Sequence, residues 1–142
     1  MRDVLINDAR NKLLNFFQFL EPLGYELENY GVNADRRFGI HFKNDKIKKS
    51  IDFTISDSED VDRFHITISI VRAPYVSVND FIDFDVYLQK NNIAYKDSLE
   101  GNEINEKGIE EYIKNYSELF RRHGTQLITT DKQFPHYYPE WT

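Results

Sequence analysis

The chain has 142 residues, of which 40% are hydrophobic and 15% aromatic, and its formal net charge is −6. This length fits one domain, residues 1–142, and the apolar content is too high for a disordered chain. The acidic balance argues against general nucleic-acid binding, and the absence of cysteine excludes disulfides, thiolate catalysis and cysteine-ligated metal centres.

The first predicted element is an amphipathic helix from Asp3 to about Leu20. Its apolar residues recur at the spacing of one helix face. They are Leu5, Ala9, Leu13, Phe16, Phe17 and Leu20. Pro22 and Gly24 follow and end the helix, because proline disfavours helix in the preceding residue and glycine suits a helix exit.

The middle of the chain changes to a period of two. Apolar and polar residues alternate over 37–42, 50–56 and 63–71, and a weaker strand candidate covers 25–30. The segments between them are short and polar, which is typical of hairpins. We therefore predict about four strands in an antiparallel meander.

Two helices are predicted after the strands. Ser77 and Asp80 resemble a capping box that begins a helix running to about Lys90. A further helix is predicted from Glu106 to His123, with Gly124 as its C-cap. Strands grouped together and helices segregated from them indicate an α+β fold, with the helices packed on one sheet face and the other face partly open.

The open sheet face carries the first candidate site. Strand alternation places His41, Asp52 and His65 on it, where they could form a general-base pair or an incomplete metal site if the strand register aligns them. A solvated polar face is the commoner arrangement in antiparallel sheets. We expect no metal and no cofactor, since the chain has no phosphate-binding glycine loop, no zinc-protease motif and no nucleophile elbow.

Acidic residues form the second candidate site. One group lies in the turn after the third predicted strand and another at the start of the second predicted helix, with more acidic residues between 100 and 111. If these groups converge, their surface could steer a basic partner. The residues of the two groups are Asp57, Glu59, Asp60, Asp62, Asp80, Asp83 and Asp85.

Aromatic residues near the end of the sequence form the third candidate site. Tyr137, Tyr138 and Trp141 follow Phe134 and offer a large apolar surface. They either dock on the domain, for example across the open sheet face, or anchor a partner.

The first residues lack the apolar run of a signal peptide, and no stretch reaches the length of a membrane helix. We therefore expect a cytoplasmic protein that does not bind membranes.

The overall layout resembles the small acidic immunity proteins of bacterial toxin systems. The segment 109–120, IEEYIKNYSELF, is similar in style to helices in several such families. The resemblance implies a protein that inhibits a cognate toxin by binding it, often a nuclease with a basic substrate groove. The acidic residues named above would then steer association, and Tyr137, Tyr138 and Trp141 would be the energetic anchors.

The leading hypothesis is therefore a non-enzymatic binding protein, specifically a toxin-neutralising immunity protein. The first alternative is a small enzyme or ligand-binding domain, which requires His41, Asp52 and His65 to meet in a pocket. The second is a structural or regulatory subunit that oligomerises through a sheet edge or the aromatic tail, which light scattering would test. The sequence leaves the oligomeric state open.

Overall fold

In the computed structural model, which describes residues 2–33, 37–58 and 60–135, four helices pack on one face of an antiparallel sheet. The sheet has six strands within those residues. The predicted α+β class, the presence of an N-terminal helix and the antiparallel meander are confirmed, but the strand count exceeds the predicted four. The first α-helix ends at Phe16, before the predicted end near Leu20, and the 3-10 helix Gln18–Leu20 follows it.

The elements follow one another in a simple order. The first helix and the meander are α1 (Arg2–Phe16), β1 (Glu26–Asn33), β2 (Arg37–Asn44), β3 (Lys49–Ser58) and β4 (Arg63–Arg72). The later elements are β5 (Phe81–Asp83), α2 (Phe84–Lys90), β6 (Leu99–Glu100), α3 (Glu106–Leu119) and α4 (Thr125–Ile128). A π-helical turn, Phe120–Gly124, joins α3 to α4.

The sheet order is β1-β2-β3-β4-β5, and β6 also pairs with β4. All of these pairings are antiparallel. Along β3 and β4 buried and half-buried residues alternate, as period-two patterning requires. The buried sides of these strands join residues of all four helices in one core, so the opposite side is the open face.

The second predicted helix begins later than expected. Ser77 does cap a turn, because its hydroxyl accepts a hydrogen bond from the Asn79 amide at 3.0 Å, but the turn is the short 3-10 helix Val78–Asp80. The chain then extends into β5, whose Ile82 pairs with Ile70 of β4. The α-helix starts only at Phe84.

The third predicted helix is confirmed as α3, which ends at Leu119. Gly124 does not terminate it but continues the helical path into α4. A Cβ at this position would lie 2.8 Å from the Phe120 ring, so glycine serves a close packing contact here.

No helix among the described residues combines the length and the apolar character needed to cross a membrane.

Candidate functional site

The open face of the sheet brings two of its three predicted residues together. His41 on β2 lies directly opposite Asp52 on β3, and the imidazole Nδ1 and the carboxylate Oδ1 form a hydrogen bond. On the far side of the ring, His41 Nε2 is 3.8 Å from the Glu28 carboxylate, which in turn pairs with Lys43 at 2.9 Å. The Lys43 ammonium lowers the pKa of Glu28.

His65 does not join this pair. It lies opposite Ser56, which is four residues along β3 from Asp52. Because a strand rises roughly 3.3 Å per residue, that separation is about 13 Å. The predicted three-residue site is therefore divided into a hydrogen-bonded pair and a distant histidine.

The neighbours of the pair limit its chemistry. Ser69 of β4 lies opposite Asp52 on the side away from His41. The aspartate thus separates the serine from the histidine, whereas nucleophilic catalysis needs the histidine between them. His41, Asp52 and Ser69 thus form a polar row across the sheet surface, and this row contains no nucleophile-base pair.

The acidic turn between β3 and β4 is only partly a surface feature. Asp57 occupies a core-facing position of β3 and is 4% exposed, so it is removed from the candidate surface. Glu59 lies outside the described residues. Asp60 and Asp62 are exposed, and the intervening Val61 is 68% exposed.

The short strand β6 brings a second acidic segment beside this turn. Glu100 pairs with Arg63, and the Gly101 amide donates a hydrogen bond to the Asp62 carbonyl at 3.1 Å. Asp97, two residues before β6, lies 3.9 Å from the Arg63 guanidinium. We call this surface the acidic end, and its exposed carboxylates are Asp60, Asp62, Asp97 and Glu100.

Asp80 has a structural role inside the fold. It is completely buried, and its carboxylate accepts hydrogen bonds from Arg72 at 3.1 Å, the Val76 amide at 3.2 Å and Gln133 at 3.2 Å. Burial raises its pKa, but these donors outweigh burial and lower it overall. Asp80 therefore ties β4 to the following loop and to the tail, and it is not available to a partner.

Asp83 and Asp85 lie together at the start of α2. Burial, followed by the charge of Asp85, raises the pKa of Asp83 to about 6. Burial also raises the pKa of Asp85, although the hydroxyl of Tyr116 donates a hydrogen bond to its carboxylate and acts in the opposite sense. Both residues are half-buried, and Asp85 is held by Tyr116 of α3, so their carboxylates offer less surface to a partner than those of the acidic end.

A groove beside α3 is the feature that sequence reasoning missed. It has a volume of about 350 Å³, and its apolar floor consists of Leu99, Tyr112, Tyr116 and Leu119. Its rim is polar and includes Lys96, Glu103, Lys107, Glu111 and Asn115. We call it the α3 groove. Tyr112, Tyr116 and Leu119 belong to the apolar stripe of α3, and the path of residues 96–105 leaves part of that stripe open to the groove.

The described part of the aromatic tail docks on the helix-bearing side of the sheet. Phe134 is buried in the core, and its amide donates a hydrogen bond to the Asn79 carbonyl at 2.9 Å. The Lys49 ammonium lies 4.5 Å from the centre of its ring. The predicted anchors Tyr137, Tyr138 and Trp141 lie outside the described residues.

Over residues 2–33, 37–58 and 60–135, no group of three or more histidine and carboxylate side chains could hold a metal ion. No protein-family model matches the chain, and neither a curated protein nor a solved structure is significantly similar to it.

Proposed function

We propose that this chain is a non-enzymatic binding protein, and specifically an immunity protein that neutralises a cognate bacterial toxin by direct contact. The observation that carries the proposal is the acidic end, where β6 joins two acidic segments that are far apart in sequence. The two segments carry four exposed carboxylates, and that of Asp97 lies 3.9 Å from the Arg63 guanidinium.

Charge at this position suits recognition of a basic surface. Exposed carboxylates that outnumber nearby cations create a negative potential, which raises the rate at which a positive partner arrives in the correct orientation. Toxins that cleave nucleic acids need a positive surface for their substrate, since phosphate contacts dominate such binding. An acidic inhibitor competes for that same surface.

A stable protein interface also needs apolar contacts. Val61 is 68% exposed in the middle of the acidic end, and the α3 groove begins at Leu99, directly beside Glu100. Apolar contacts surrounded by charge are the usual composition of a specific protein interface. The proposed interface therefore includes the β3–β4 turn and β6.

The proposal includes a cytoplasmic location. A toxin that attacks the producing cell must be neutralised in the cytoplasm, and a chain without cysteine suits a reducing compartment.

The test begins with capture of the partner. The tagged chain is used to recover binding proteins from lysate of its native cells, and the C-terminal domain of a stoichiometric partner is then expressed with and without the chain. We expect the domain alone to arrest growth and co-expression of the chain to restore it.

A matched pair of variants tests the surface. Asp60→Asn, Asp62→Asn, Asp97→Asn and Glu100→Gln together neutralise the acidic end with nearly isosteric groups. The control removes four exposed carboxylates elsewhere, through Glu21→Gln, Glu26→Gln, Glu118→Gln and Asp131→Asn. Loss of protection by the first variant alone supports the proposal. A partner domain that is harmless to cells, or equal protection by both variants, contradicts it.

A further inference from the structure

The α3 groove combines an apolar floor with a charged surrounding. Tyr112 and Tyr116 are 4% and 2% exposed, so the groove reveals only part of each ring, and Leu119 is half-buried beside them. A volume of about 350 Å³ lies in the range of side-chain and small-ligand pockets. It is large enough for one bulky apolar side chain and too small for a folded element.

The walls of the groove are held by specific contacts. The Tyr112 hydroxyl accepts a hydrogen bond from the Ile66 amide at 3.1 Å and donates one to the Asp97 carbonyl at 2.9 Å. Tyr116 is fixed by its hydrogen bond to Asp85. The groove is therefore preformed, so binding of an apolar group requires little reorganisation of the protein.

The charge around the groove identifies the flanking chemistry of its occupant. One side is continuous with the acidic end through Leu99 and Glu100, where the Asp97 carboxylate is also exposed. On the other side Glu111 faces the opening from α3. Lys107 lies one helical turn before Glu111 and offsets its charge, and Lys96 is paired with Glu103, so the rim itself adds no net charge. The excess negative charge therefore comes from the acidic end, and lysine or arginine side chains next to an apolar group would match it.

We infer that the α3 groove is the specificity pocket of the proposed interface, and that it receives an aromatic or large aliphatic side chain of the partner that is flanked by basic residues. The inference rests on the proposed function, since the acidic end supplies the flanking contacts. It adds a chemical prediction about the partner: a basic segment without such an apolar side chain is not a sufficient ligand.

Three capped peptides test this inference by titration of the amide NMR spectrum of the whole chain. In the first, one phenylalanine lies between two pairs of lysines; in the second, serine replaces the phenylalanine; in the third, glutamates replace the lysines. We expect the first peptide to shift amides of β6 and α3, and to bind about tenfold more tightly than the serine peptide. The glutamate peptide should give no saturable shifts.

Equal affinity for the phenylalanine and serine peptides would overturn the inference that the α3 groove is a specificity pocket. If both peptides still bound at the acidic end, the proposed function would stand. Phenylalanine-dependent shifts located away from residues 96–119 would also overturn it.

A filled groove provides an independent check. Asn115 is an exposed rim residue, and Asn115→Trp should occupy the opening and abolish the preference for phenylalanine over serine. Asn7→Trp, at an exposed position of α1 outside the groove, is the matched control and should retain the preference. Retention of the preference by Asn115→Trp would contradict the inference.

Discussion

Asp83 and Asp85 show how the fold changes the chemistry of single residues. Burial is the first cause of the raised pKa at both positions, and the charge of Asp85 adds to it at Asp83. Burial and the same Asp85 also raise the pKa of Tyr116, so its hydroxyl stays protonated and remains a hydrogen-bond donor. The folded chain is therefore more stable when Asp83 is neutral than when it is charged.

This arrangement predicts a pH dependence of stability. The folded pKa of Asp83 is about 6 and lies above the unfolded value, so the folded state binds the proton more tightly and loses stability as the pH rises from 4 to 6. Asp83→Asn removes that loss. We expect the free energy of unfolding of the variant, relative to the wild type, to increase by about 1–2 kcal/mol between pH 4 and pH 7.

Chemical denaturation at several pH values measures this difference. Asp60→Asn removes one exposed negative charge and serves as the control. A constant difference between Asp83→Asn and the wild type across this pH range would show that the carboxyl of Asp83 is not perturbed in the folded chain.

Two acidic residues that were candidates for partner binding proved to be buried, and the reasons differ. Asp57 continues the alternation of Ile51, Phe53 and Ile55, so the period of β3 alone could have placed it on the core side. Asp80 could not be assigned in this way, because its burial depends on hydrogen bonds from Arg72, eight residues earlier, and from Gln133, 53 residues later. Sequence patterning reports local periodicity and not such tertiary partners.

At the scale of elements, the segment 78–84 shows why the second helix was misplaced. Its apolar residues fit a helical spacing, but Val78, Asp80, Ile82 and Phe84 are also alternate residues, and all of them are buried. Pairing of Ile82 with Ile70 at the edge of the sheet decides between the two periods. The tertiary contact therefore overrides the local helical pattern.

Gly108 lies where α3 joins the segment that forms the groove, and its substitution tests how tightly this junction is packed. It lies in the first turn of α3, where its amide donates a hydrogen bond to the Asn105 side chain at 2.9 Å. A Cβ here would be 2.1 Å from the Glu103 carbonyl oxygen, so backbone must move to admit it. We expect Gly108→Ala to lower the free energy of unfolding by about 2–3 kcal/mol, although alanine alone would favour a helix by about 1 kcal/mol.

Gly39→Ala is the matched comparison, since no heavy atom lies within 4 Å of a Cβ at that position of β2. It should raise the free energy of unfolding by about 0.5 kcal/mol. Urea denaturation of both variants gives the two values. A stabilising Gly108→Ala would mean that the 103–108 junction is looser than its geometry indicates.

At the scale of the whole molecule, charge is separated along the strands. The β2–β3 turn carries one exposed carboxylate, Asp45, and two exposed lysines, Lys46 and Lys48. The β3–β4 turn, at the other end of β3, carries Asp60 and Asp62. The sequence predicted acidic segments but not their convergence, because the pairing of the two-residue strand β6 with β4 leaves no recognisable pattern. Under the proposed function, this polarity would present the acidic end to a positive partner.

The most direct measurement of the central claim is the association rate of the chain with the captured partner domain, recorded by stopped-flow fluorescence over a range of salt concentrations. We expect a rate that falls steeply with added salt, and a reduction of about tenfold at low salt when Asp60, Asp62, Asp97 and Glu100 are neutralised. The control lacking four carboxylates elsewhere should change the rate by less than about twofold. Association that is insensitive to salt, or equally slow for the two variants, would contradict binding through the acidic end.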